Sequence, residues 1–418
     1  MIAKTPHLID ERVWMRTPPR TAPEAASARN VMTLGWTSLL NDLGSEVIAR
    51  LIPLYVSSVL GAPMSAVGFI EGLAESTATL LKPFFGSLSD RLKKRKEFVA
   101  FGYGLSALAR PLLALTGSWQ EIAFLRFCDR LGKGVRSAPR DALIADSSLA
   151  GAHGRNFGIN RSMDTFGALL GVVGFGLWSY LHPAHSLDPA LWKILCIVCG
   201  IPGLFALALV IWKVTDFGIS AKPTPANPES VRLSGTFKRY LLVVGLFALA
   251  NSSDGFIIIR ARELGYSLSG ILGLVALLNV VAAFTSIPAA ALSDRFGRRT
   301  LIAMGWTIYA LSYALFGSFT EANAPAGFAV VISVYGLFFG FTESVERAWI
   351  ADLAPVEARG RAYGVFGLVV GVSALPASLG FGWLWDHFGG QVPFYVGSAI
   401  ALFSTALLFI LVPKSAGD

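Results

Sequence analysis

Asp42, Glu46 and Arg50 stand four residues apart in an otherwise apolar run, so on a helix they share one face. Glu71 and Glu75 repeat the spacing in the next run, and Arg126, Asp129, Arg130 and Lys133 crowd a later one. An ionised side chain at the centre of a membrane helix costs about 2.5–3.5 kcal/mol on insertion scales, so such groups face a polar cavity or pair with one another. Asp42 lies roughly 16 Å into its helix at 1.5 Å per residue, near the midplane. The Arg126 run travels the other way and brings Asp129 and Arg130 to a similar depth. The chemistry on offer is reversible proton binding, because burial raises a carboxylate's proton affinity and a nearby cation lowers it. Asp42 or Glu46 would take and release a proton while Arg126 or Arg130 competes for the same carboxylate. Glu75 and Asp129 join that set of proton-coupling candidates. A static network of ion pairs holding the helices together is the competing account of the same residues.

Further polar groups interrupt other apolar runs. Asn41 in the first matches Asn251 in the seventh, where Ser252, Ser253 and Asp254 follow. Asn41, Asn251, Asp254 and Glu343 are candidates to line a substrate cavity. Glu343, Glu346 and Arg347 lie toward one end of their run, where a gate or a salt bridge between halves competes with substrate contact. Phe338 and Phe339 face either a cavity or lipid. Trp36, Trp178, Trp383 and Trp385 fit an interfacial belt or packing. Lys82-Pro83 marks a kink, since proline removes a backbone hydrogen bond.

These residues are positioned by an unusually apolar chain. Of its 418 residues, 54% are hydrophobic and 15% charged, against about 25% charged in a soluble domain. Apolar stretches of about 20 residues, each able to cross roughly 30 Å of hydrocarbon, recur along the length. They predict helices at 31–57, 66–88, 98–117, 120–146, 156–181, 191–213, 238–260, 268–292, 299–319, 326–353, 361–384 and 392–412. Lysine and arginine concentrate in alternate loops, with Arg91, Lys93, Lys94, Arg95 and Lys96 the strongest group, which predicts that both termini are cytoplasmic. The same pattern accounts for the net charge of +8 without nucleic-acid binding. Residues 1–30 read as a basic cytoplasmic arm without a secretory signal. Residues 214–237, with Pro223, Pro225 and Pro228, read as a cytoplasmic linker, and 413–418 as a tail. Six spans fall on each side of the linker, in 31–213 and 238–412.

The two sets of six repeat each other. Leu88-Ser89-Asp90-Arg91 recurs as Leu292-Ser293-Asp294-Arg295, 204 residues on. Ile144-Ala145-Asp146 recurs as Ile350-Ala351-Asp352, Gly154-Arg155 as Gly360-Arg361 and Gly174-Phe175-Gly176 as Gly380-Phe381-Gly382, each 206 on. Parallel repeats about an axis along the membrane normal are a transporter feature.

Gly86-Ser87-Leu88-Ser89-Asp90-Arg91 followed by Lys94-Arg95-Lys96 resembles the loop signature between helices 2 and 3 of the major facilitator superfamily. Leu292-Ser293-Asp294-Arg295-Phe296-Gly297-Arg298-Arg299 resembles its degenerate copy between helices 8 and 9, and Arg126 resembles the family's helix 4 arginine. Asp129 to Asp141 is similar to a bacterial branch whose members mostly lack an assigned substrate. The resemblance covers about residues 30–412. It implies an all-α membrane protein with twelve transmembrane helices as two pseudo-symmetric six-helix bundles, and a cavity lined by spans 1, 4, 7 and 10. It further implies that Asp90, Arg91, Asp146, Arg155, Asp294, Arg295, Asp352 and Arg361 latch the halves in the outward-facing state. One departure weighs against simple drug efflux: Gly167, Gly171, Gly174 and Gly176 carry no proline among them, unlike the helix 5 signature of drug antiporters.

No catalytic or metal signature is present. The chain has no GxxxxGK[ST] phosphate loop, no HExxH and no GxSxG. Cys196 and Cys199 sit in an apolar run without a second ligand pair, and Cys128 stands apart, so an inert pair is expected. The expectation is a monomeric, multi-pass inner-membrane transporter without cofactor, driven by the proton gradient and exporting a small amphipathic compound, drug-like or siderophore. Proton symport of a polar metabolite is one alternative, and a non-transporting membrane receptor is another.

Overall fold

The long apolar runs are helical, because a backbone in lipid must satisfy its own N–H and C=O groups. The computed structural model describes residues 22–148, 153–183, 187–216, 233–321, 324–355 and 358–413. The helices are α1 (Ala22–Leu54), α2 (Met64–Leu92), α3 (Arg95–Leu112), α4 (Trp119–Asp146), α5 (His153–Leu181) and α6 (Pro189–Lys213). The second half comprises α7 (Gly235–Ala250), α8 (Gly255–Glu263), α9 (Leu268–Phe296), α10 (Arg298–Ser318), α11 (Ala324–Leu353), α12 (Arg359–Phe388) and α13 (Val392–Leu411). Among the described residues, nine helical stretches are long and apolar enough to cross a membrane, with α7 and α8 counted together. The α1, α2 and α4 helices are not among them, and these carry the charged clusters.

Three local features differ from expectation. The first helix begins at Ala22, nine residues before the apolar run, and beyond Pro53 it widens into a π turn at Tyr55–Val59. The seventh span is not one helix: it breaks at residues 251–254 into α7 and α8. The least apolar helix, α4, is started by a capping box in which Ser118 Oγ accepts from Glu121 N and Glu121 reaches back to Ser118 N. The expected arm and linker fall largely outside the described residues, as does most of the tail.

Each half has its own aromatic packing. In the first, Tyr55 stacks on Trp192 at 4.2 Å. In the second, Tyr309 stacks on Tyr313 at 4.1 Å within a cluster that includes Phe316, Tyr335, Phe338 and Phe394. Phe338 is buried there rather than facing lipid. The halves meet along antiparallel seams, α2 against α12 and α5 against α9, with α1 crossing α8.

The α2–α12 seam is tight at the end away from the chain termini. A Cβ on Gly68 would collide with the carbonyl of Ser378, and one on Gly382 with the carbonyl of Met64. Ser76 Oγ donates to Gly371 O at 2.7 Å midway along. Toward the termini the helices part, and a Cβ on Gly360, Gly364 or Gly367 would meet nothing within 4 Å. The molecule is therefore sealed at one end and splayed at the other.

Candidate functional site

A cavity of about 360 Å³ lies between the halves. From the first half, Glu46 and Arg50 enter it on α1, Glu71 and Glu75 on α2, and Arg126, Arg130 and Lys133 on α4. From the second half come residues 251–255 at the α7–α8 break, Phe339 on α11, and Val370, Ala374 and Ser378 on α12.

Close packing of α3 on α4 sets the charged wall. A Cβ on Gly102 or Gly132 would stand 2.5 Å from the other's carbonyl oxygen, so only glycine admits this crossing. The approach brings Arg110 of α3 within 3.5 Å of Asp129, and Arg126 and Arg130 reach the same carboxylate at 3.6 and 3.4 Å. Three guanidiniums thus share Asp129, which stands behind the cavity wall, not on it. Arg136 lies over the Tyr103 ring at 4.5 Å and donates to Ser106 Oγ.

Glu46 pairs along its own helix with Arg50 at 3.5 Å. Arg126 meets Glu71 at 3.8 Å, and so joins α4 to α2. The other oxygen of Glu71 accepts from Ser253 Oγ of the second half at 3.4 Å. Among the described residues Arg126 thus meets a carboxylate of α2, and no α1 carboxylate lies within 4 Å of it. Glu75 accepts from Thr79 Oγ1 at 3.2 Å and has no cation within 4 Å among the described residues.

Asn41 and Asp42 do not line the cavity. Asn41 is 1% exposed and accepts from Arg110 through Oδ1 at 2.7 Å and through its carbonyl at 3.2 Å. Asp42 accepts from Asn41 Nδ2 and Ser45 Oγ. Arg110 holds Asn41 in the first half's interior, while Asp42 beside it is half-buried. The third span's Arg110 went unremarked as a functional residue, although the cost of a charge inside an apolar run would have singled it out.

The α7–α8 break is fully accommodated. Tyr309 OH donates to Ala250 O at 2.7 Å, Ser253 N to Ser378 Oγ at 3.2 Å, and Gly255 N to Ser253 Oγ at 3.1 Å. Irregular backbone at membrane depth is tolerated only where protein buries it or it lines a cavity, and this segment is bonded to protein and lines the cavity. Asn251 and Asp254 line the cavity, and Tyr335 OH donates to Asp254 Oδ1 at 2.9 Å. Tyr335 carried no sequence signal, since a tyrosine in an apolar run reads as packing.

Glu343 lies outside the cavity wall. It bridges Arg161 of α5 at 3.7 Å and Arg347 at 3.3 Å at the splayed end, with Arg161 and Glu343 side chains 72% and 50% exposed. Glu346 accepts from Trp306 Nε1.

The expected latch divides into two clusters, one in each half. Arg95 pairs with Asp90 at 2.8 Å and also with Asp146, joining α2, α3 and α4. Arg298 pairs with Asp352 at 3.3 Å and donates to Ser293 Oγ. Neither pair crosses between halves; at this end the exposed Arg161–Glu343 pair does. Arg91 and Arg155 have no carboxylate within 4 Å among the described residues, and Arg295 lies over the Phe296 ring at 5.7 Å. The Asp294 side chain lies outside the described residues. Sequence reading missed Arg95 and Arg298 as the cations of these clusters. Cys196 and Cys199 are buried free thiols, and Cys128 is half-buried.

Comparison with known proteins gives a consistent result. The model of the family described as Major Facilitator Superfamily matches residues 34–282 and 240–418. An uncharacterized MFS-type transporter of Methanocaldococcus jannaschii is 32% identical over 396 residues, covering 92% of this chain and 95% of that protein. The multidrug resistance protein MdtH of Proteus mirabilis is 26% identical over 365 residues, covering 85% and 88%. The crystal structure of the nucleoside transporter NupG superposes with a TM-score of 0.77 at 13% identity, over 92% of this chain and 99% of that one. At that identity it speaks for the fold.

Proposed function

The chain belongs to the major facilitator superfamily, a membrane transporter family, and from that membership we propose that it is a proton-coupled exporter of a small amphipathic organic compound. One observation carries this reading: an interfacial cavity with ionisable groups on one wall and a broken helix with apolar neighbours on the other. Discontinuous helices at the interface of repeats form substrate sites in many transporters. Similarity to a multidrug resistance protein supports export of organic compounds.

Glu71 is the coupling residue in this scheme. It faces Arg126 in its own half and Ser253 in the other, so rocking of the halves alters its surroundings. A carboxylate's proton affinity depends on such neighbours. Glu75 is the second acid open to the cavity, and Glu46 the third. The termini are cytoplasmic in this scheme, following the positive-inside pattern, so the splayed end faces the cytoplasm. The protein acts as a monomer in the inner membrane, with no cofactor beyond the proton gradient.

Proton symport of a polar metabolite is the second reading, and it has its own support in the four acids and four bases around the cavity. Reconstitution into proteoliposomes with an imposed pH gradient tests the proposal. Export predicts substrate movement against the proton flow, and symport predicts movement with it. Absence of pH-dependent flux for every candidate, together with unaltered growth of a deletion strain on toxic compounds, would favour a receptor and sink the transport scheme.

A further inference from the structure

The charges around the cavity are not evenly matched. Glu46 is taken by Arg50 and Glu71 by Arg126, while Asp129 is shared by Arg110, Arg126 and Arg130. Lys133 is left with no carboxylate within 4 Å among the described residues, and it opens onto the cavity. Arg130 stands one turn before it on α4, so the two side chains project from one face. Arg130 is 8% exposed and, among the described residues, donates no hydrogen bond; its Nε lies 3.4 Å from Asp129 Oδ2 without hydrogen-bond geometry. A buried guanidinium in this condition is costly unless a ligand or water completes its bonding.

Opposite this corner the wall changes character. Phe339, Val370, Ala374 and Ile258 present apolar surface, and Asp254 is the one acid of the second half that reaches the cavity. The α4 cations therefore face a mixed wall, in which Asn251, Ser253 and Ser378 stand beside these apolar residues, across a space of about 360 Å³, the size of a small organic molecule.

Resting on the transport reading above, we infer that Arg130 and Lys133 form the anion-binding corner of the substrate site, and that the substrate is a small organic anion with an apolar or aromatic body. Arg130 supplies the planar donor face for a carboxylate or phosphate-like group, and Lys133 supplies a mobile ammonium one turn away. The body lies against Phe339 and the α12 residues. Glu75, on the same half of the cavity, disfavours anions that carry a second charge.

The test uses the purified full-length protein in detergent and a matched set of probes. Each aromatic body, such as naphthalene, is offered as carboxylate, amide and methylammonium, and thermal stabilisation reports binding. The inference expects the carboxylates to stabilise the protein and to bind more weakly as salt rises. Lys133→Gln should weaken carboxylate binding about tenfold, as expected for one contact to a charged partner, with the amide unaffected. Lys133→Arg should restore it, and its ligand-free melting point controls for folding. Binding of the methylammonium at least as tightly as the carboxylate overturns the inference. So does unchanged carboxylate affinity in Lys133→Gln, or failure of every carboxylate to bind. Carboxylate binding without any pH-gradient-driven flux in proteoliposomes would leave the anion corner standing and count against the transport reading alone.

Discussion

Asp386 of α12 caps the N-terminus of α2 from the opposite half of the molecule. Its Oδ1 accepts from Met64 N at 2.7 Å and its Oδ2 from Ser65 N at 2.9 Å. The residue before α2 is Pro63, which has no side-chain donor or acceptor, so α2 is capped only from across the seam. The carboxylate also meets the positive end of the helix dipole. The sealed end is thus closed by the interaction that a helix N-terminus needs in any case, and opening it exposes two orphan N–H groups.

Replacing Asp386 with alanine should loosen that seal without unfolding the bundles. A lost N-cap costs about 1 kcal/mol, which amounts to roughly a fivefold shift toward the opened state. Alkylation of a single cysteine placed at Ser76 on the seam measures it, and should speed up by that factor. An unchanged rate would show that Asp386 does not hold the seal.

Gly68 and Gly382 should tolerate no larger residue if the seal must close in each cycle. Gly68→Val or Gly382→Val drives side-chain atoms into the backbone of the other half. Flux should fall about five- to hundredfold, since overpacking of a tight contact costs about 1–3 kcal/mol. Membrane insertion should persist, because each half keeps its own core. Flux assays paired with quantitation of protein in the membrane separate the two effects.

Glu71→Gln should uncouple transport from the proton gradient. The amide keeps the size and a hydrogen bond to Ser253, but loses the charge facing Arg126. Gradient-driven accumulation should be abolished while substrate binding remains. Arg126→Gln should be the harsher change, since breaking a buried pair costs about 3–5 kcal/mol. Asp42→Asn should keep most of its flux, because Asp42 is bonded to Asn41 and Ser45 away from the cavity. Equal loss in Asp42→Asn and Glu71→Gln would contradict this assignment.

Arg95→Gln should destabilise the first half. Arg95 is the shared cation of Asp90 and Asp146, and its loss leaves two carboxylates facing each other. The expected cost is about 1–3 kcal/mol, reduced by solvent at Asp90. Thermal unfolding of the purified protein should show it, and Arg298→Gln should act in the same direction through Asp352.

Much of this arrangement was legible in the residues themselves. The apolar runs mark most spans, because 1.5 Å per residue and about 30 Å of hydrocarbon leave little freedom in length, while the charged α4 is the least apolar of them. The recurrence of Asp90-Arg91 as Asp294-Arg295 reveals the duplication. The charges on α1, α2 and α4 mark the cavity, since they cannot face lipid. The pairing was not legible. Spacing along a helix places Glu46 and Arg50 together, but nothing in a single sequence says that Arg126 turns to α2, or that Asn41 turns inward to Arg110.

The sequence by itself therefore determined the spans, the two related halves and the set of buried charges, because each follows from the cost of placing polar groups in lipid. Only the tertiary structure decided which carboxylate each arginine meets, where the seventh span breaks and which end of the seam is sealed. Those depend on how close one helix comes to another, at Gly102 against Gly132 and at Gly68 against Ser378, and on Asp386 reaching a backbone more than three hundred residues away in the chain. Contacts of that kind have no periodicity, and so leave no local trace.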